Sequence, residues 1–317
     1  MPAEHPSNIT TLTLNPALDV SYEVPELIRD QKSRAKDVRY DPGGNGINIA
    51  RALKRLDMGC QAYGLLGGEV GLMVERLLKN ELGDFKSVAI DDETRINCTL
   101  LVGDEPVQYE VAGSGPQVSP KVIEWISEQF VQGCGTGFGV LTGSVPPGTP
   151  VTLYGALVER LRAQGAKAVV DAHGAMLEHA VPRRPYLIKP NRFELEQYCG
   201  HTLPNLEDVA SQARALQRDG IEMVCVSLGG QGAILVTAQG GWHAQAPRVQ
   251  VRSTVGAGDS MVAGMLGALA RGDHPADALK LAIACGSGTA ATPGTSLFEP
   301  NLVQQLLPQV TVRNLPS

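Results

Sequence analysis

Apolar positions along the chain fall into two alternating patterns. Short continuous runs, ITTLTL (9–14), CQAYGLL (60–66), GFGVLTG (137–143), KAVVDA (167–172), YLIKP (186–190) and EMVCVSL (222–228), predict strands buried on both faces. Between them, apolar residues recur every three or four positions in INIARALKRL (47–56), GLMVERLLKNEL (71–82), TPVTLYGALVERLRAQ (149–164), EDVASQARALQRD (207–219) and SMVAGMLGALARG (260–272). That spacing predicts helices burying one face. Buried parallel strands separated by helices predict an α/β protein, a doubly wound sandwich. Ligands in such folds sit beyond the C-terminal strand ends, where loops and helix N-termini converge.

Two stretches break the rhythm. Residues 17–40 (ALDVSYEVPELIRDQKSRAKDVRY) and 94–112 (TRINCTLLVGDEPVQYEVA) read as short strands with no helix between them. They are either surface hairpins or a small second sheet, built from two separated insertions, that covers the site as a lid. The core would then comprise 1–16, 41–93 and 113–317. Exposed apolar strand faces invite pairing, so a lid of this kind would also form a homodimer interface.

Composition narrows the function. The 317 residues are 43% hydrophobic and 19% charged, as in an ordinary globular protein with a large core. Sparse aromatics (4%) and 36 glycines suit tight turns and close helix–sheet packing. The net charge of −6 advertises no basic face, which argues against nucleic acid as the main partner. Six scattered cysteines, with no C-x-x-C and no nearby histidine at zinc spacing, read as reduced thiols. MPAEHPSNIT lacks a basic start followed by an apolar stretch, and no window approaches 18 apolar residues. A cytoplasmic protein without membrane contact is expected.

The chemistry concentrates in STVGAGDS (253–260). Glycines ahead of a helix let consecutive N–H groups point into one concavity, an anion hole reinforced by the helix dipole. Asp259 stands at the first turn, where the dipole (about 0.3–1 kcal/mol at exposed sites) is expected to hold it ionised. Two readings compete: a carboxylate that merely caps the helix, or a base. Phosphoryl transfer passes through a loose transition state in which the nucleophile's proton leaves late. A carboxylate aimed at the acceptor hydroxyl then works by position, while Gly256, Ala257 and Gly258 bind the phosphoryl charge. No G-x-x-x-x-G-K-[ST] occurs, and GGNGINIAR (43–51) carries Ile49 where a dinucleotide fingerprint needs its third glycine. A nicotinamide dehydrogenase is thereby disfavoured.

STVGAGDSMVAG also resembles the C-terminal signature of the PfkB (ribokinase-like) sugar kinases. GGNGINIARALKRLD (43–57), LIKPNRFELEQYCG (187–200) and VSLGGQGAI (226–234) are similar to three further motifs of that family, in family order. TLTLNPALD (11–19) points to its sugar-phosphate branch: 6-phosphofructokinase 2, 1-phosphofructokinase and tagatose-6-phosphate kinase. The resemblance implies the ribokinase-like α/β/α sandwich with a β-sheet lid, and transfer of the ATP γ-phosphoryl to a ketohexose phosphate. Fructose 6-phosphate is the first expectation, then tagatose 6-phosphate or fructose 1-phosphate. A catalytically silent nucleotide-binding protein is the rival reading, disfavoured because Asp259, Asn191 and Glu194 are all present.

The resemblance implies the remaining roles. Asn191 and Glu194 would orient waters on Mg²⁺, although the same pair suits a helix N-cap and its box partner. Lys189, Ser227, Gly229, Gly232 and Ser287 would line the nucleotide, with CGSGTAATPGTS (285–296) forming part of the adenine wall. Asp19, Gly44 and Asn48 would meet sugar hydroxyls. Lys32 and Arg95 would grip the acceptor's existing phosphate, with Ser144 donating to the same phosphate or to a sugar hydroxyl. A K⁺ beside the anion loop would take Ser253, Val255, Thr289, Thr292, Gly294 and Ser296. Two departures stand out. Position 45 is Asn, where Lys is expected in the 1-phosphofructokinase and tagatose branches and Gly in the 6-phosphofructokinase 2 branch. Ser253 replaces the more general Asp and agrees with the latter branch.

Overall fold

The structure, a computed structural model, describes residues 8–83, 85–103 and 107–316. The start of the expected core (1–7), position 84, the 104–106 part of the second insertion and Ser317 lie outside the described residues. The first half of the chain forms β1 (Ile9–Thr13), β2 (Ala17–Val24), β3 (Asp37–Gly43), α1 (Asn45–Arg55), β4 (Gln61–Gly67), α2 (Gly68–Glu81), β5 (Phe85–Ile90), β6 (Arg95–Val102), β7 (Val107–Ala112), α3 (Pro120–Cys134), β8 (Phe138–Thr142) and α4 (Leu153–Ala163). There follow β9 (Lys167–Asp171), α5 (Gly174–Ala180), β10 (Leu187–Ile188), α6 (Arg192–Cys199), α7 (Leu206–Arg218), β11 (Met223–Ser227), β12 (Ala233–Thr237), β13 (Gly240–Gln245), α8 (Ala257–Ala270), α9 (Pro275–Ala290), α10 (Pro300–Leu306) and β14 (Thr311–Asn314).

Ten strands make the main sheet in the order β14-β13-β12-β11-β10-β9-β8-β1-β4-β5. All six strand runs expected from the sequence fall in its parallel part. Alternate residues feed opposite layers. Leu12, Leu141 and Val170 enter one core with α3, α4 and α7; Ile9, Val140 and Val169 enter the other with α1, α8 and α9. Each such side chain, fully buried, contributes about 1.5–3 kcal/mol.

Differences from the expected elements have local causes. YLIKP shortens to Leu187–Ile188 because Pro190 has no N–H to extend the ladder, although Lys189 N still donates to Val170 O. The 149–164 helix begins only at Leu153, after a turn. Residues 285–290 continue α9 rather than forming a tail. There a Cβ on Gly286 would lie 2.5 Å from Met261 Cγ and one on Gly264 3.0 Å from Ala282 Cα, so only glycines allow α8 and α9 to pack this closely.

The two insertions supply a separate four-stranded sheet, β3-β2-β6-β7. Strand alternation divides it sharply. Asp19 and Ser21 of β2, Asp41 of β3 and Asn97 and Thr99 of β6 share one face. The opposite face is apolar: Leu18 and Val20 pack on Ile47, Leu66, Val74 and Leu78, while Val38, Tyr40, Ile96, Tyr109 and Val111 stay exposed. Among the described residues, no helix is long and apolar enough to cross a membrane.

Candidate active site

Parallel strand ends deliver the loops that build the site. α8 starts from Gly256, whose backbone is left-handed (φ 73°) and has no side-chain cap. Only glycine takes that conformation without strain, and a Cβ there would also press on Leu297 Cδ2 at 3.0 Å. The turn leaves the first N–H groups of α8 without intrahelical partners, although Ala257 N donates back to Thr254 O at 3.3 Å.

Asp259 follows in the first turn, 4% exposed. Asn45 Nδ2 donates to its Oδ1 and Asn48 Nδ2 to its Oδ2, each at 2.9 Å. Its carboxyl is raised from 3.8 to about 7, first by burial and then by Asp171; Asn48, Asn45 and Lys189 oppose the shift. The expectation that the dipole holds Asp259 ionised is therefore corrected. Loss of hydration outweighs a helix end, because a buried charge forfeits several kcal/mol while the dipole returns about 2 at most.

Lys189, 5% exposed, lies against the same turn: a Cβ on Gly258 would stand 3.4 Å from its Nζ. Asp171, at the end of β9, holds that ammonium at 3.0 Å. Burial is the largest influence and works against the charge, but Asp171, helped by Cys225 and Glu194, outweighs it and Lys189 ends above its ordinary value. The sequence alone marks neither Asp171 nor Asn45 as functional. Asp171 merely ends a strand run, and Asn45 stands out only as a departure from the family's glycine-rich motif.

The nucleotide-side residues gather around a cleft of about 630 Å³. Ser227, Gly229 and Gly232 form one wall, Ala257 and Gly258 the base, and Ser287 of α9 another wall. Thr254 and the 245–249 segment, unmarked in the sequence, complete it. Gly232 is dictated by a close approach: a Cβ there would sit 1.8 Å from Ala244 O. Ser227 bridges to Asn191, which brings the two motifs side by side. Asn191 and Glu194 form a full capping box: Asn191 Oδ1 accepts from Glu194 N (2.9 Å) and Glu194 Oε2 from Asn191 N (2.8 Å). Glu194 Oε1 remains outside that box, able to hold a metal's water.

On the lid side, Asp19 (8% exposed) accepts from Asn97 Nδ2 at 2.8 Å. Burial lifts its carboxyl to about 6 against the pull of Asn97 and Arg95. It overlies Gly43, where a Cβ would be 2.3 Å from Oδ2. Gly44, with φ 117°, abuts Thr13 and leads into α1. Arg95 donates from Nη1 to Gly113 O (3.0 Å), while its buried Nε lacks a partner. Ser144 accepts from Asn15 Nδ2 at 3.3 Å, and the same amide donates to Ser114 O at 3.1 Å, tying two loops of the acceptor side. Asn15 lies inside TLNPALD, where the sequence shows it only as one letter of a motif. Asn48 reaches Asp259 and, through Oδ1, Arg51 Nη1 (3.3 Å), so its amide serves the carboxylate. Lys32 lies exposed on the 25–36 segment, and among the described residues no hydrogen bond or ion pair draws it to Arg95 or Asp19.

The expected cation ligands lie on two adjoining loops. Arg252 N and Ser253 N donate to Ala290 O. Thr292 Oγ1 donates to Thr289 O (2.7 Å) and Ser296 O (2.6 Å), and Val255 N to Ser253 Oγ (3.2 Å). Gly294 (φ 59°) turns the second loop, and the buried Ser296 hydroxyl has no partner. An orphaned hydroxyl among inward carbonyls fits a monovalent cation.

Residues 13–302 match the pfkB family carbohydrate kinase pattern. The chain belongs to that family. This pfkB kinase is 35% identical over 310 residues to the 1-phosphofructokinase of Bacillus subtilis (strain 168), covering 97% of this chain and 100% of that one. It is 36% identical over 282 residues to the 1-phosphofructokinase of Escherichia coli (strain K12), covering 87% and 88%. Among solved structures, phosphofructokinase-2 from Escherichia coli in complex with potassium superimposes with a TM-score of 0.91 at 31% identity, over 96% of this chain and 99% of that one. The chain is thus a carbohydrate kinase that transfers phosphate to a hydroxyl, within a family that uses ATP and Mg²⁺. Among its described residues no three His, Cys, Asp or Glu side chains converge.

Proposed function

We propose that this kinase phosphorylates fructose 6-phosphate at its primary hydroxyl to give fructose 1,6-bisphosphate, with MgATP as donor. The supporting observation is the juxtaposition at the head of α8: a buried carboxylate held by two amides beside an anion turn whose opposite side opens into the cleft. In the reaction the acceptor oxygen attacks the γ-phosphorus, its proton passes to Asp259, and the bond from phosphorus to the β–γ bridging oxygen breaks, with ADP carrying the charge. The N–H groups of Gly256–Gly258 and the Lys189 ammonium meet the transferring phosphoryl, and Asp171 keeps Lys189 in place. Asn191 and Glu194 would hold Mg²⁺, which would supply charge neutralisation at the phosphates. K⁺ between the 253–255 and 289–296 loops fits the orphaned Ser296 hydroxyl. Asp19 meets sugar hydroxyls, and Arg95 with Ser144 faces the acceptor's phosphate.

The choice of fructose 6-phosphate rests on Asn45. A neutral amide spent on Asp259 stands where the branches acting on other ketohexose phosphates are expected to carry Lys. Fructose 1-phosphate is the second reading, favoured by the relatives named 1-phosphofructokinase. Coupled ADP release from fructose 6-phosphate, fructose 1-phosphate, tagatose 6-phosphate and free fructose decides the matter. The highest kcat/KM is expected for fructose 6-phosphate; a preference for fructose 1-phosphate replaces it, and turnover on none of the four rejects the proposal.

A further inference from the structure

Behind the nucleotide turn lies a second cavity, of about 510 Å³, with Arg192 of α6 and Arg313 of β14 in its walls. Among the described residues neither Arg192 nor Arg313 has a carboxylate within salt-bridge distance. Each is steered instead by a neutral group. Arg192 Nη2 donates to Gln231 Oε1 at 2.8 Å, and its Nε is buried with no partner. His243 places Nε2 2.8 Å from Gln231 O. A carbonyl only accepts, so that nitrogen carries the proton, which leaves Nδ1 to accept from Arg313 Nε at 3.4 Å. Most donors of both guanidinium forks remain uncommitted. Asn205 and Leu206, at the N-terminus of the 13-residue α7, line the cavity, although Glu207 and Asp208 in the same first turn offset the positive end of its dipole. No carboxylate lies in these walls among the described residues, in a chain of net charge −6.

We propose that this cavity is a second anion site for a small phosphorylated metabolite, and that its occupancy alters nucleotide affinity. Two forks of N–H donors match phosphate oxygens, and the space suits a compact phosphate ester or pyrophosphate. The coupling is structural. Gly230 and Gln245 line both this cavity and the nucleotide cleft. An anion that draws Arg192 from Gln231 releases one tie on the 229–232 turn, which faces the nucleotide. The anion site stands independently of the proposed reaction; the coupling rests on the nucleotide reading of the cleft.

The test uses the full chain saturated with a non-hydrolysable ATP analogue, titrated calorimetrically with inorganic pyrophosphate at fixed ionic strength. Saturable binding is expected despite the bound nucleotide. Arg192→Gln/Arg313→Gln should weaken it at least ~10-fold while kcat at saturating ATP is kept. In the wild type, pyrophosphate should shift the analogue's Kd about 5-fold or more, within the usual range of coupling, and the double variant should lose that shift. Arg313→Gln alone, an exposed position, serves if the double variant fails to fold. Complete exclusion of pyrophosphate by the analogue, equal binding by the variants, or equally tight citrate binding overturns the site. Binding without a change in analogue affinity overturns the coupling alone. A chain that does not bind the analogue refutes the nucleotide reading of the cleft, and pyrophosphate titration of wild type against variant then still tests the cavity.

Discussion

Asp259 shows how a single residue's environment sets its chemistry. Its carboxyl near 7 is far better matched to accepting a proton at neutral pH than a dipole-stabilised carboxylate would be. The base works only when ionised, so kcat/KM should fall as pH drops below about 7; a flat profile from pH 5 to 8 would remove Asp259 from that role. Asn45 stabilises the ionised form, as do Asn48 and Lys189, while Asp171 opposes it. Asn45→Ala should therefore raise the carboxyl's pKa and move the acid limb to higher pH, with Asn45→Gln restoring part of the shift. Loss of turnover without movement of the limb would mean only a structural role. Asp259→Asn should lower kcat at least ~10²-fold with sugar-phosphate binding retained, and nearly unchanged turnover excludes it as the base.

At the scale of the element, α8 and the lid strands each carry a function through backbone geometry. α8 depends on one left-handed residue. Gly256→Ala imposes about 1–3 kcal/mol of strain and drives a methyl onto Leu297, so a lower Tm and a collapse of kcat are expected together. A variant with wild-type kcat would show that the anion turn tolerates remodelling. β6 carries Arg95 next to Asp19's strand. Arg95→Ala should raise KM for a sugar phosphate far more than for the unphosphorylated sugar, and equal effects on both would reject a phosphate grip. The glycine turn is legible in the amino-acid sequence because its residues are consecutive. The Asn191–Glu194 pair is equally legible, since a capping box spans only four positions, and the fold realises that geometry.

For the whole molecule, the lid's two faces divide the labour. On the polar face Asp41 Oδ2 of β3 accepts from Thr295 Oγ1 at 2.5 Å, which ties the lid to the 289–296 loop. The apolar face leaves Val38, Tyr40, Ile96, Tyr109 and Val111 exposed on its two flanks, and their burial suits a second copy. Tyr109→Glu with Val111→Glu should halve the mass seen by light scattering if the lid forms the dimer. An unchanged mass sends the interface elsewhere.

Hydrophobic periodicity alone determined the parallel core of the sheet and most of its flanking helices, because strand and helix spacing are properties of neighbouring residues. Local motifs likewise determined the anion turn and the acid beside it. Tertiary structure decided what that acid is. Asn45 and Asn48 reach Asp259 across more than two hundred positions, and Asp171 faces it from another strand end. Burial sums over all the elements that converge on a group, and no stretch of neighbouring residues contains that sum.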